Sequence, residues 1–542
     1  MRARLANAAW ALAARPAATA FHRALADPER AQTRLLHSIL RANADTVVGR
    51  AHGFGQIRTL REFQDAVPLV GWDEVAPFVE RIAAGEPNVL TSEPVRLLEP
   101  TGGSSGGTKL VPYTRTLQRQ IRAAVAPWVA DLFRHVPAAA HGPAYWSVSP
   151  AVPHERTAGG VPVGFEDDGA YLSPLHRTLA RATLAAPSAL RHVADPEAFR
   201  YATLRWLVAR RDLALVSVWN PTFLALLLCP LRDWADRLAD DLDRGTLSAD
   251  VPPAVRAGLD RDSARARDLR RLAAGTTTDA DLVAGLWPRL ALVSAWADGH
   301  AAGPADDLRA LVPQAAFQAK GLLATEGVVT VPLWGRDGGA PALTSHVLEF
   351  VPESGGRPVF AHHVETGERY GVVLTTGGGL YRYRLGDTVE AVGRVAASPL
   401  LRFVGREGPV SDRVGEKLHE GHVARALAGL GLGGFALVAP DGDARPCRYV
   451  LFTDGTASDA RLAQAARRLD AALVGNVHYA LARRLGQLGP VAAFRIRDGG
   501  ATAFLEGCVA LGQRLGDVKS TALHRDGGWA GRFDGAFVSA ES

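Results

Sequence analysis

LALVSVWNPTFLALLLCPL, from Leu213 to Leu231, decides between two folds for this chain. Its apolar length alone would suit a membrane span. Ser217, Asn220, Pro221 and Thr222 interrupt it, and a proline opens a helix far more readily than it sits inside one. The stretch therefore reads as a buried strand, a turn and a buried helix. Working outward, the same alternation recurs. PAYWSVSP (Pro143–Pro150) and LALVSAW (Leu290–Trp296) are apolar runs of strand length. Thr116–Arg134, the stretch 221–275 and Asp306–Leu311 read as helices. Buried strands alternating with helices imply an α/β core.

Upstream, residues 1–90 read as helices and loops, with helical periodicity at Ala18–Asn43. The opening MRARLANAAWALAARPAATA mimics an export signal. Asn7 and Trp10 interrupt its alanine-rich run, and Arg15 and Pro16 close it, so it reads as an amphipathic first helix. From residue 328 the character changes. Val328–Leu333, His346–Val351, Tyr370–Thr376, Leu380–Arg384, Val389–Gly393 and Leu401–Val404 read as strands between glycine and turn residues. After Gly405 a smaller α/β segment is expected, with helices at 416–430, 458–474 and 505–514 and strands at 434–439, 448–453 and 490–496. The expected fold is thus a large N-terminal α/β domain with a barrel-like β part over 1–404, a hinge over 405–411, and a small mobile C-terminal α/β domain over 412–542.

Composition narrows the class. A chain of 542 residues buries a large core without disulfides or metals, and 47% apolar with 22% charged residues excludes global disorder. Cys229, Cys447 and Cys508 are far apart and form no CxxC pair, which argues against a zinc or disulfide framework and suits a reducing, cytoplasmic setting. The net charge of +5 comes without a basic block or aromatic–basic interleaving, so no nucleic-acid partner is expected. No membrane association is expected either.

Of 61 basic residues only four are lysine: Lys109, Lys320, Lys417 and Lys519. Asparagine, isoleucine and methionine are also scarce, the mark of a GC-rich coding bias. Under that bias arginine replaces lysine wherever either serves. A retained lysine then marks a site that needs a compact ammonium, or else is retained by chance.

Five motifs carry chemistry. EPTGGSSGGTK (99–109) offers flexible backbone N–H groups, the hydroxyls of Thr101, Ser104, Ser105 and Thr108, and the Lys109 charge, a set suited to phosphate. Gly102 and Gly107 have Walker-loop separation, but Thr108 stands where the lysine should be. The bland alternative is a glycine–serine linker. In LLATEG (322–327) Glu326 is either a cation ligand or a solvated turn residue. LTTGGGLYRYRLGD (374–387) alternates Tyr381 and Tyr383 with Arg382 and Arg384, each pair on one strand face, and ends on Asp387, which suits a ribose diol or a simple turn. LRFVGREGPVSDRVGEKL (401–418) straddles the domain break, and GQRLGDVK (512–519) lies near the C-terminus.

In this order the motifs resemble the acyl-adenylate-forming superfamily, and within it the auxin-responsive acyl acid amido synthetases. YRYRLGD at 381–387 and FVGREGPVSDRVGEKLHE at 403–420 carry most of the likeness. GLLATEG (321–327), VSVWNPTF (216–223) and GFEDDGAYL (164–172) are similar to the bacterial branch. The resemblance spans about residues 45–523. It implies an ATP- and Mg2+-dependent ligase that activates a carboxylic acid as an acyl adenylate and passes the acyl group to an amine, usually an amino acid. Lys519, Glu326 and Lys109 would be the catalytic residues, with Glu326 the magnesium ligand. ATP would be held by Thr101, Ser104, Ser105, Gly106, Gly107, Lys109, Thr325, Tyr383, Asp387, Arg406 and Lys519. Trp219, Asn220 and Phe223 would shape the acyl pocket, with core packing as the alternative for each. Gly405, Arg406 and Ser411 would form the hinge.

Two departures stand out. The glycine–serine loop is about one residue shorter than in the plant enzymes. Pro409 stands where family members often have a pivot aspartate, leaving Ser411, Asp412 or the Pro409 backbone for that place. Lys320 and Lys417 receive no role. Competing expectations are an acyl-CoA or carrier-protein ligase using the same adenylate, and a noncatalytic nucleotide-binding scaffold. The chain is expected to act as a monomer.

Overall fold

The computed structural model describes the chain except residues 1, 103–107, 148–154, 165–177, 179–181, 194, 407–409, 412, 414–415, 417, 442–443, 445, 485–487, 514–517 and 539–542. It divides into two compact units, one of Met1–Thr101 and Thr108–Val404, the other of Gly405–Ser542. Among the described residues no helix is long and apolar enough to cross a membrane.

The first unit begins with two helices, Arg2–Ala26 and Pro28–Ala42. Asp27 separates them: its side chain accepts from the Arg30 N–H and Pro28 takes the first helical position. Trp10, Ala14 and Phe21 on the first helix are buried. The Asn7 amide donates to the carbonyls of Ala140 and Gly142 at 3.1 and 3.0 Å. The opening thus packs as an amphipathic helix of the unit.

Besides a sheet that contains the strands Leu97–Gly102 and Thr108–Tyr113, two sheets make up much of the rest of this unit. The first is parallel throughout: Ala144–Trp146, Leu215–Ser217, Leu292–Ala295 and Ala316–Ala319 lie side by side in chain order. The middle two strands are buried throughout, which is why they lie within largely apolar stretches of the sequence. Helices between them, including Pro221–Leu228 and Ser263–Gly275, cover the sheet with a core that holds Leu224, Leu238, Leu269 and Trp287. The second is the β-rich part: Thr330–Pro332, Gly339–Pro341, Ser398–Arg406, Tyr383–Val395, Arg369–Thr375, Val347–Pro352 and Val359–Phe360, in that spatial order. Leu348, Phe350 and Leu374 on it are fully buried. Each contributes about 1.5–3 kcal/mol of burial.

The strand expected at Leu380–Arg384 does not form as drawn. Arg382 adopts φ +48° and the strand begins at Tyr383. The alternation of tyrosine and arginine on two faces therefore fails. Tyr381 is buried and donates to the Leu90 carbonyl at 2.7 Å, and Arg382 is buried against Glu349.

The second unit is a four-stranded sheet, Ala436–Asp441, Arg448–Thr453, Ala492–Ile496 and Gly535–Phe537, packed with the helix Asp459–Leu473 around its own core. The helix expected at 416–430 runs only over Glu420–Ala428. Glu416 is withdrawn from it: its carboxylate accepts from the Arg413 N–H at 2.8 and 2.9 Å and from the Tyr449 hydroxyl.

Candidate active site

Thr325 and Glu326 form the tip of a hairpin. Leu323–Ala324 pairs antiparallel with Gly327–Val328, Gly327 opposite Ala324, so these two residues make the turn. Two glycines make the hairpin possible. A β-carbon at Gly321 would lie 2.3 Å from the Thr330 carbonyl oxygen, and one at Gly327 would lie 2.8 Å from Nε2 of His346. The turn is also held from outside: the Tyr113 hydroxyl donates to the Thr325 carbonyl at 2.5 Å. Glu326 is 5% exposed. Behind it His346 is fully buried, and among the described residues neither ring nitrogen has a hydrogen-bond partner. Burial pushes its pKa down to about 3, so the ring is neutral.

The glycine–serine segment connects two neighbouring strands, Leu97–Gly102 and Thr108–Tyr113. Thr101 sits on the first and Lys109 on the second. Ser104, Ser105, Gly106 and Gly107 lie outside the described residues. The Lys109 ammonium is 3.4 Å from the Tyr383 hydroxyl and 5.9 Å over the Trp72 ring. Two residues far apart in sequence that were expected at the nucleotide are thereby brought together.

Tyr383 begins the long strand that carries Asp387. Gly371 pairs with Thr388 and Val373 with Arg384, so Leu385, Gly386 and Asp387 stand opposite Val372 alone. Gly386 takes φ +78° in this bulge. Bulges re-aim side chains and recur beside active sites. Asp387 is buried there. The preceding loop is fixed from a distance: Gly377 donates its N–H to Gln120 Oε1 at 2.7 Å and accepts from the Thr114 hydroxyl at 2.8 Å. Thr114 also caps the helix Arg115–His135. These anchors, Tyr113, Thr114, Gln120 and His346, carry no motif of their own and were not found from the sequence.

The acyl-pocket candidates divide. Trp219 and Asn220 follow the strand Leu215–Ser217 at its carboxyl end, and Trp219 lies 5.9 Å from Trp296, which follows the neighbouring strand. Phe223 turns instead into the helical core, 6.3 Å from Phe199.

In the second unit Gly405 and Arg406 end the strand Ser398–Arg406, and Ser411 belongs to a short ribbon, Val410–Ser411 against Leu418–His419. Ser411 Oγ is buried 2.7 Å from the Tyr449 hydroxyl. Burial and the Glu416 carboxylate raise the Tyr449 pKa well above the ordinary phenol value. Pro409, Asp412 and Lys417 lie outside the described residues, as does most of 164–172. Lys519 is exposed, and two residues on, Thr521 Oγ1 and the Ala522 N–H meet the Glu420 carboxylate at 2.6 and 3.0 Å.

Among the described residues no cluster of three His, Cys, Asp or Glu side chains can hold a metal. A single buried carboxylate at a turn instead fits magnesium that arrives on a triphosphate. That ion takes one or two carboxylates and completes its shell with phosphate and water.

The chain has the adenylate-forming fold. The solved GH3.15 acyl acid amido synthetase superposes with a TM-score of 0.81 at 20% identity, over 96% of each chain. Residues 17–317 match the GH3 family N-terminal domain, 340–406 the central domain and 419–527 the C-terminal domain, and the chain belongs to the GH3 family. It is 26% identical over 504 residues to the indole-3-acetic acid-amido synthetase GH3.10 of Arabidopsis thaliana, covering 84% of this chain and 85% of that one. It is 24% identical over 532 residues to the jasmonoyl–L-amino acid synthetase JAR6 of Nicotiana attenuata, covering 91% and 90%.

Proposed function

We propose that this chain is an ATP-dependent acyl acid amido synthetase. A carboxylate oxygen attacks the α-phosphorus of ATP, and the bond to the β-phosphate breaks. Pyrophosphate leaves and an acyl adenylate remains. The amine of an amino acid then attacks the acyl carbon, loses a proton and displaces AMP. The observation that carries this reading is the succession of three GH3 domains along a chain that folds as GH3.15 does. The wording of 216–223 and 321–327 supports placing it in the bacterial branch.

Positioning and neutralisation of charge do most of the work in such a reaction. Thr101 to Lys109 would cradle the outer phosphates, with Thr325, Tyr383 and Arg406 beside the nucleotide. The contact between Lys109 and Tyr383 supports a shared place for these two. Asp387 would accept from the ribose hydroxyls. Glu326 would take the magnesium that ATP carries, and the ion would neutralise phosphate charge. Trp219 and Asn220 would border the acyl group. Lys519 would bring an ammonium to the α-phosphate and the attacking carboxylate. The division of the chain after Val404 supports a hinge over 405–411 between domains 1–404 and 412–542. All three cysteines are free thiols, which suits the cytoplasm.

A panel of carboxylic acids and amino acids, with pyrophosphate release and amide mass as readouts, tests this. Amide formed in step with pyrophosphate supports it. Thioester formed from added CoA in place of amide, or no pyrophosphate with any acid, overturns it.

A further inference from the structure

Lys320 follows the fourth strand of the parallel sheet, and its ammonium is enclosed. Nζ lies 4.7 Å from the ring centroids of both Trp128 and Trp219 and 5.9 Å from that of Trp146. It donates to Ser217 Oγ at 2.7 Å. Trp146, Ser217 and Trp219 end or follow the first two strands, so the side chain reaches across the Leu292–Ala295 strand over the middle of the sheet. Trp128 comes from the helix Arg115–His135 and is itself fixed by its Nε1 donating to Gln318 Oε1 at 2.7 Å. In open parallel sheets, ligands bind outside the carboxyl ends of the strands. The cage lies there.

Lys320 is 8% exposed, while the three tryptophans around it are each partly exposed. Among the described residues no carboxylate pairs with the ammonium. Its charge is met by aromatic faces and one hydroxyl. Cation–π contacts of this kind offset only part of the desolvation of an unpaired ammonium. Burial accordingly lowers its pKa to about 7. Among the described residues, the arrangement is an aromatic-walled site whose ammonium has no anion beside it. A simple structural post would be better served by an apolar residue, and this chain keeps only four lysines.

We propose that Lys320, with Trp128, Trp146 and Trp219, is the specificity-determining group of the acyl site and selects aromatic acids bearing a second anionic group distal to the reacting carboxylate. The inference rests on the amido synthetase reading. In that reading the reacting carboxylate faces the triphosphate and Lys519, and the buried Lys320 is left to receive the other end of the acid. The flat tryptophan faces suit an aromatic body, and the ammonium suits a carboxylate on its far side.

Binding is measured first on the full chain without ATP, by titration calorimetry with benzoate, benzene-1,4-dicarboxylate and 4-carboxyphenylacetate. At least one dicarboxylate is expected to bind tenfold or more tighter than benzoate. Lys320→Met, which removes a buried charge at similar volume, is expected to abolish that preference. Equal binding of all three acids, no binding of any, or an equal loss of all three in Lys320→Met overturns the inference. Pyrophosphate release with the same acids separates the two readings. A preference in binding that depends on Lys320, with no pyrophosphate from any acid, sinks the amido synthetase reading alone. Pyrophosphate and amide from benzoate and dicarboxylate alike, in wild type and Lys320→Met, sinks the role of Lys320 alone.

Discussion

Gly327 stands against the imidazole of His346: a β-carbon there would lie 2.8 Å from Nε2 and 3.0 Å from Cδ2. The ring is fully buried. Gln32 grips its backbone, its amide donating to the carbonyls of Leu343 and His346 and its oxygen accepting from the Leu348 N–H. The turn of Glu326 is thus set by a helix near the N-terminus through one buried histidine. Gly327→Ala should cost about 1–3 kcal/mol by overpacking and slow pyrophosphate release. Truncating the ring should return part of the loss. A double-mutant cycle of Gly327→Ala with His346→Ala should show coupling of at least about 0.5 kcal/mol. Additive effects would mean that the contact does not set the turn.

His346 and Lys320 give stability a dependence on pH at opposite ends of the scale. The folded imidazole has a pKa near 3 and the unfolded one about 6.5. Between these values the unfolded chain binds the extra proton, so stability is lost as pH falls from about 6.5 toward 3. Lys320 has a folded value of about 7 against 10.5 for the free side chain. Here too the unfolded chain holds the extra proton, so the penalty is full below pH 7 and is relieved as pH rises toward 10.5. Each effect is at most roughly 5 kcal/mol. Denaturant midpoints at pH 4, 7 and 9.5 check both. His346→Leu should flatten the acid loss. Lys320→Met should gain most at pH 7 and below, and little at 9.5.

Much of this was legible in the sequence where the cause is local. Leu292–Ala295 reads as a strand because it lies within a short, mostly apolar run, and Arg115–His135 as a helix because its apolar positions repeat. The motif order pointed to the family before any contact was known. What failed was nonlocal. Arg382 looks like one face of an alternating strand, and distant partners, Glu349 33 positions earlier and the carbonyls of Gln64 and Val67, explain its buried, turned-out conformation. Thr325 and Glu326 form a two-residue turn without the glycine or asparagine that usually marks one, because Tyr113 and His346 hold it. Lys320 carried no readable role, since its cage is assembled from three separate stretches of chain. The helix Val477–Arg484 and the strand Gly535–Phe537 were not anticipated at all.

The pair formed by Arg382 and Glu349 should be a large single contributor to the integrity of the first unit. The two side chains are 5% and 1% exposed and meet at 2.9 Å, and the guanidinium also donates to the carbonyls of Gln64 and Val67. Removing one partner strands a buried charge. Glu349→Ala should cost about 3–5 kcal/mol in denaturant unfolding. Replacing both, with Arg382→Met and Glu349→Leu, should recover a substantial share of that loss. If the double variant is as unstable as the sum of the singles, the pair matters through its backbone hydrogen bonds instead of its charge.

Glu420 should act on the first half-reaction through Lys519. Its carboxylate opens the helix Glu420–Ala428 and holds the chain two and three residues beyond Lys519, at Thr521 and Ala522. Ala522 and His524 then exchange backbone hydrogen bonds with Val438 on the edge of the sheet. The exposed lysine is therefore carried just before a segment fixed on the sheet. Lys519→Ala should slow adenylation about 10²–10³-fold, the usual effect of removing one electrostatic stabiliser, and should spare conversion of a supplied acyl adenylate to amide. Glu420→Ala should slow adenylation by at least about tenfold in the same selective way, since a mispositioned stabiliser loses much of its effect. Glu420→Gln keeps an acceptor oxygen facing Thr521 and should retain most of the rate. The deciding measurement is Glu420→Ala made in the Lys519→Ala background. A positioning role predicts little further loss there, because nothing is left to position. A further loss as large as in the wild-type chain would mean that Glu420 supports the second unit as a whole.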